Sequence, residues 1–85
     1  MLTSHLVEMY IPTSLAADAF AAGRRARAAA LELSRAGAPV RYVRTTLLPE
    51  DETCFHLFVA ESEDAVMETC RRAGLGSPRI VRALE

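Results

Sequence analysis

The chain has 85 residues, 51% hydrophobic and 25% charged, with ten arginines and no lysine against eleven acids for a formal net charge of -1. A chain of this length closes about one hydrophobic core, so residues 1–85 are expected to form a single globular domain and not a disordered chain. The near-zero charge gives no basic field for a phosphate backbone, and the apolar runs are short and interrupted, with no charged, cleavable leader between Met1 and Pro12. A soluble cytoplasmic protein without nucleic-acid or membrane partners is expected.

Leu2 to Ile11 alternates as a first strand, and Pro12-Thr13-Ser14 breaks it with a residue that cannot donate to a ladder. Leu15 to Ala36 is built of good helix formers, with Asp18 near its positive end and Arg24, Arg25, Arg27 and Arg35 toward its negative end. Leu15, Ala19, Ala22, Ala26, Ala29 or Ala30, and Leu33 recur at helical spacing, giving a mostly alanine face that can lie close against a sheet. Gly37 stands next, where a helix-ending residue belongs. Val40 to Leu48 reads as a second strand and Thr53 to Ala60 as a third, joined through the polar turn Pro49-Glu50-Asp51-Glu52. Ser62-Glu63-Asp64 starts a second helix whose buried stripe is Val66, Met67, Cys70 and Ala73. Arg71-Arg72 and then Gly74-Leu75 end it, and Arg79 to Leu84 forms a short last strand.

The order βαββαβ builds a four-stranded antiparallel sheet with both helices on one face, the α+β arrangement called ferredoxin-like. Its first and third strands are central neighbours. Period-2 parity sends Val7, Met9 and Ile11 with Phe55, Leu57 and Val59 toward the helices. Leu6, Glu8 and Tyr10 with Cys54, His56, Phe58 and Ala60 take the opposite face, joined by Tyr42, Arg44 and Thr46. On this assignment Leu57→Asp abolishes folding. An open face carrying Leu6, Tyr10, Tyr42 and Phe58 predicts a C2 homodimer that encloses a pocket for a metal ion or small molecule, and a charge at Phe58 splits it.

Glu8 and His56 fall on that face of adjacent strands, with Cys54 as a neighbour. Carboxylate, imidazole and thiolate are metal ligands, and a carboxylate beside an imidazole is also a general-base pair. The alternative is an ion pair of Glu8 with Arg44 or Arg82 in a dimer interface and a His56 that packs as a neutral polar filler. His5 reads as an exposed strand-end residue, Cys70 as core, the Arg24, Arg25, Arg27 run as a solvated face, and Glu50-Asp51-Glu52 as a solvated turn. Two cysteines are too few for a disulfide framework. No phosphate-loop, dinucleotide, nucleophile-elbow, zincin or EF-hand motif is present.

Leu6-Val7-Glu8 with Ile11-Pro12, the run Val40-Arg41-Tyr42-Val43, Glu52-Thr53-Cys54-Phe55, and above all Ala60-Glu61-Ser62-Glu63-Asp64-Ala65-Val66 with Arg72-Ala73-Gly74-Leu75 carry a resemblance over nearly the whole chain. The sequence resembles a small bacterial domain-of-unknown-function family of ferredoxin-like fold that includes a nickel-binding actinobacterial protein. The resemblance implies a dimer and, in the nickel-binding branch, a site of histidines and carboxylates for nickel or another divalent transition metal. That branch carries Asp-x-His in its first strand and His in its second helix. The corresponding stretches here are Glu8-Met9-Tyr10 and Met67-Glu68-Thr69-Cys70, and His56 stands at the family's third-strand cysteine position. Glu8 and His56 are the residues carried over. By likeness of fold, a cofactor-independent oxygenase or isomerase with Glu8 or His56 as general base is the alternative, and a regulatory interaction module a third.

Overall fold

The computed structural model describes all of residues 1–85. Strand β1 (Thr3–Tyr10) leads through a 3₁₀ turn at Thr13–Leu15 into helix α1 (Ala16–Arg35), followed by β2 (Val40–Leu48), a 3₁₀ turn at Pro49–Asp51, β3 (Thr53–Ala60), α2 (Glu63–Arg72) and β4 (Arg79–Ala83). The sheet order is β2-β3-β1-β4 with every neighbour antiparallel. Four antiparallel strands and two helices in the order βαββαβ make this a ferredoxin-like α+β fold.

The helix boundaries result from local chemistry. At the start of α2 the Ser62 hydroxyl accepts the Ala65 N–H at 3.2 Å, which satisfies one of the orphan donors of the first turn, and Glu63 and Asp64 sit against the positive dipole end. At its end Gly74 takes φ +72° and lets the Leu75 N–H return to the Cys70 carbonyl at 3.0 Å. Helix α2 buries Ala65, Val66, Thr69 and Cys70, whereas Met67, expected in that stripe, is exposed. Helix α1 buries Ala19, Ala22, Gly23, Ala26, Ala29, Ala30 and Leu33. With side chains this short its axis approaches the sheet closely, and Gly23 marks the tightest point: a Cβ there would collide with the Thr45 hydroxyl and stand 2.9 Å from the Tyr42 OH.

The register corrects the face assignment of β3. Val7 lies opposite His56, Met9 opposite Cys54 and His5 opposite Phe58, so these three pairs share one face. Val7, Phe58 and Ala60 join Val40, the alanines of α1 and Ala65, Val66 and Cys70 of α2 in one core cluster, which identifies this face as the helix side. The helix-side set of β3 is therefore Cys54, His56, Phe58 and Ala60, all fully buried. Phe55, Leu57 and Val59 turn to the open face with Leu6, Glu8 and Val81. Alternation assigns β1 the correct parity and inverts that of β3. Both sides of β3 are apolar, so alternation alone selects the larger aliphatic set for the core, whereas the thin layer beneath α1 accommodates Cys54, Ala60 and a hydrogen-bonded imidazole.

Strand β2 contributes a second correction. Tyr42 pairs with Phe58 but Arg44 pairs with Leu57, so a β-bulge at Val43 inserts one residue and shifts the parity of the rest of the strand. Tyr42 and Thr45 consequently both face α1, while Arg44 and Thr46 face the open side as expected.

Candidate functional site

A chain of polar side chains crosses the layer between α1 and the sheet. The Tyr42 OH lies 2.6 Å from Thr45 Oγ1, Thr45 Oγ1 lies 2.8 Å from His56 Nδ1, and His56 Nε2 lies 3.6 Å from Cys54 Sγ. His56 and Cys54 are both fully buried. Residues two apart on one strand share a face, which is why Cys54 and His56 meet. Thr45 reaches the imidazole because it stands directly across the ladder.

The electrostatics favour the uncharged forms of both groups. Burial first, and the positive charge of Arg25 second, lower the His56 pKa from its ordinary 6.5. Burial raises the Cys54 thiol above its ordinary 9.0. In the tautomer whose Nδ1–H donates to Thr45, the Nε2 lone pair is left to accept the Cys54 S–H. Cys70 is a separate buried thiol in the core cluster, pushed up to about 11 by burial.

Glu8 does not join this group. It faces the open side, where Arg79 Nη1 donates to its Oε1 at 3.0 Å. The expected convergence of Glu8 with His56, and their pairing as carboxylate and imidazole, is thus overturned by the register of β3. Within the chain the ion pair of Glu8 is made with Arg79. Phe58, expected on the open face, packs edge-to-face on Tyr42 with ring centroids 5.8 Å apart. His5 is buried beside the core, 5% exposed, with Nε2 3.0 Å from Thr3 Oγ1. Arg25 departs from the solvated run around it, donating from Nε to the Ala73 carbonyl at 2.9 Å and tying α1 to the end of α2.

Sequence reasoning missed Thr45 and Gly23, and it placed Tyr42 on the open face, whereas Tyr42 pairs with Phe58 on the helix side. The usable signal was the one glycine inside an otherwise alanine face, which marks a close approach of another element. Two surface concavities of about 500 and 510 Å³ lie elsewhere, one between α2 and the Gly76-Ser77-Pro78 loop, the other between α1 and β2, and neither is lined by Glu8, Cys54 or His56.

The fold is that of a small ferredoxin-like domain in which a buried thiol and a buried imidazole meet on one strand. Residues 5–82 match the family of the nickel responsive protein SCO4226-like, and the chain belongs to that family. No curated protein matches the chain.

These donors fit a metal ion in part. Bond lengths of about 2.3 Å to thiolate and about 2.0 Å to imidazole place sulfur and nitrogen about 3.5 Å apart at a tetrahedral centre. The observed 3.6 Å matches that edge. Thr45 on Nδ1 occupies the position of an outer partner that orients a ligating imidazole. No third His, Cys, Asp or Glu stands close enough to form a three-residue set. One chain therefore supplies two donors and not a full coordination sphere.

Proposed function

We propose that this chain is a homodimeric binding protein that responds to nickel or a similar divalent transition metal through Cys54 and His56. The observation that carries the reading is the 3.6 Å approach of Cys54 Sγ to His56 Nε2, with the other ring nitrogen engaged by Thr45. For both atoms to act as ligands the thiol proton must leave, whereas the neutral imidazole has none to lose. Binding is then accompanied by release of about one proton per site and weakens as pH falls.

The dimer is proposed from the open face. Leu6, Phe55, Leu57, Val59 and Val81 form its apolar centre, and the helices lie on the other side. A second copy related by a twofold axis would cover this patch and bring Glu8 and Arg79 to the rim. Calorimetric titration of nickel into untagged protein tests the metal reading. Wild type is expected to bind, Cys54→Ser and His56→Ala to lose binding while keeping their circular dichroism. Equal binding in all three proteins, or none in wild type, overturns the reading.

A further inference from the structure

Cys54 and His56 are fully buried, and neither of the two larger surface concavities is lined by them, so a solute reaches the thiol only when part of the fold opens. Their cover is α1. Gly23 lies over Thr45, which pairs with His56, and Cys54 stands two residues nearer the Tyr10 end of the sheet, where α1 begins. Two strand residues span about 6.6 Å and one helical turn about 5.4 Å, which puts the fully buried Ala19, one turn before Gly23, toward Cys54.

The two ends of α1 are held differently. From Ala22 to Leu33 the helix contributes to the core cluster, and Arg25 and Ser34 bond to the Ala73 and Val40 carbonyls. Ala19 and Cys54, although fully buried, lie outside that cluster. The 3₁₀ turn Thr13–Leu15 that leads into α1 buries no residue, neither it nor α1 has a side-chain N-cap, and Leu15 and Phe20 are half exposed.

The side chain that ties this turn down is Glu52. Its Oε2 accepts the Thr13 N–H at 2.7 Å and lies 3.3 Å from the Thr13 hydroxyl, and its Oε1 accepts the Tyr10 OH at 3.4 Å. Its carbonyl accepts the Ile11 N–H at 2.8 Å. Glu52 is also the one non-glycine residue at positive φ, +49°. A long side chain is strained in that conformation and keeps it only where its surroundings hold it. Here the surroundings are its own turn, through the Pro49 carbonyl, and the segment from Tyr10 to Thr13.

We infer that Glu52 is a clasp on the Thr13–Leu15 turn, and that its release lets the first turns of α1 swing away and admits a small solute to Cys54. The gating of the thiol stands on these contacts alone. That the entrant is a divalent metal ion rests on the reading proposed above.

The test is alkylation of the native protein by iodoacetamide at one fixed pH, with Cys54 and Cys70 followed separately by peptide mass. Cys70 lies in the core cluster on α2 and reports openings of the whole fold. Glu52→Gly removes the carboxylate and suits a positive φ, and Glu52→Asn tolerates that φ with a shorter, uncharged side chain. Both are expected to label Cys54 about tenfold faster than wild type, as the loss of a charge-assisted bond from a local opening equilibrium requires, with the Cys70 rate unchanged. Glu50→Ala, which removes an exposed carboxylate next to the clasp, is expected to leave both rates as in wild type. An unchanged Cys54 rate in the two Glu52 variants, a rise shared equally by Cys54 and Cys70, or an equal rise in Glu50→Ala would overturn the inference. No metal enters this experiment, so a chain that binds nickel but shows an unaltered Cys54 rate in the Glu52 variants would lose the clasp and keep the metal reading.

Discussion

Thr45 Oγ1 stands 2.8 Å from His56 Nδ1 across the β2–β3 ladder, and this bond exists because the bulge at Val43 turns Thr45 toward the helices. Without the extra residue, strict alternation from Tyr42 would send Thr45 to the open face and leave a buried ring nitrogen unpaired. The bulge, the hydroxyl and the missing side chain at Gly23 belong to one arrangement that makes an imidazole tolerable in the core.

Gly23→Ala tests that arrangement. Alanine gains about 1 kcal/mol of helix propensity over glycine, but overpacking typically costs about 1–3 kcal/mol. The new Cβ would meet both Thr45 and Tyr42, so the packing cost is expected to prevail and the urea midpoint to fall. Combined with Thr45→Ala, the loss should be smaller than the sum of the two single changes. Strict additivity would show that the two positions do not touch.

The faces of β3 can be separated by charge. Phe58 is fully buried against Tyr42, and Phe58→Asp is expected to prevent cooperative folding. Phe55 lies on the open face, and Phe55→Asp should fold and sediment as a monomer where wild type sediments as a dimer. A folded Phe58→Asp protein would refute the register, and a monomeric wild type at micromolar concentration would refute the dimer.

Acid should weaken the fold through His56. Its folded-state pKa lies below 6.5, from burial first and Arg25 second. Well above 6.5 the residue is neutral in both states and adds no pH dependence. As pH falls below about 6.5 the unfolded chain takes up a proton that the folded chain resists, so stability declines until the lower folded value is reached. Urea denaturation at about pH 7.5 and 5.5 should show a falling midpoint in wild type and a flatter response in His56→Gln. Parallel responses would remove His56 as the source.

The cap of α2 offers a quantitative check. Ser62→Ala removes the acceptor of the Ala65 N–H and is expected to cost about 1 kcal/mol, with Ser62→Asp restoring most of it. Denaturation curves with unchanged slope would report this directly, and an unaffected midpoint would contradict the cap.

The elements were legible in the sequence because each is bounded by punctuation with a local mechanism: Pro12, the Pro49–Glu52 turn, Ser62 and Gly74. Val40–Leu48 and Thr53–Ala60 stand where alternation and turn residues set them. What alternation could not resolve was which side of β3 faces the helices, since Cys54, His56 and Phe58 on one side and Phe55, Leu57 and Val59 on the other are both compatible with burial. The choice is made by the depth of the layer under an alanine and glycine helix, a tertiary quantity. The same holds for the bulge at Val43, which has no glycine or proline to announce it. The spacing of Cys54 and His56 was enough to make them neighbours, while Glu8 was attached to them only through the inverted face.

Whether Cys54 and His56 are donors to a transition metal is decided by X-ray absorption at the nickel edge of the loaded, untagged protein. One sulfur scatterer at about 2.3 Å is expected together with the outer-shell signature of an imidazole ring, the sulfur disappearing in Cys54→Ser. A first shell of oxygen and nitrogen alone in wild type, or a sulfur that persists in Cys54→Ser, would contradict the assignment of these two residues as ligands.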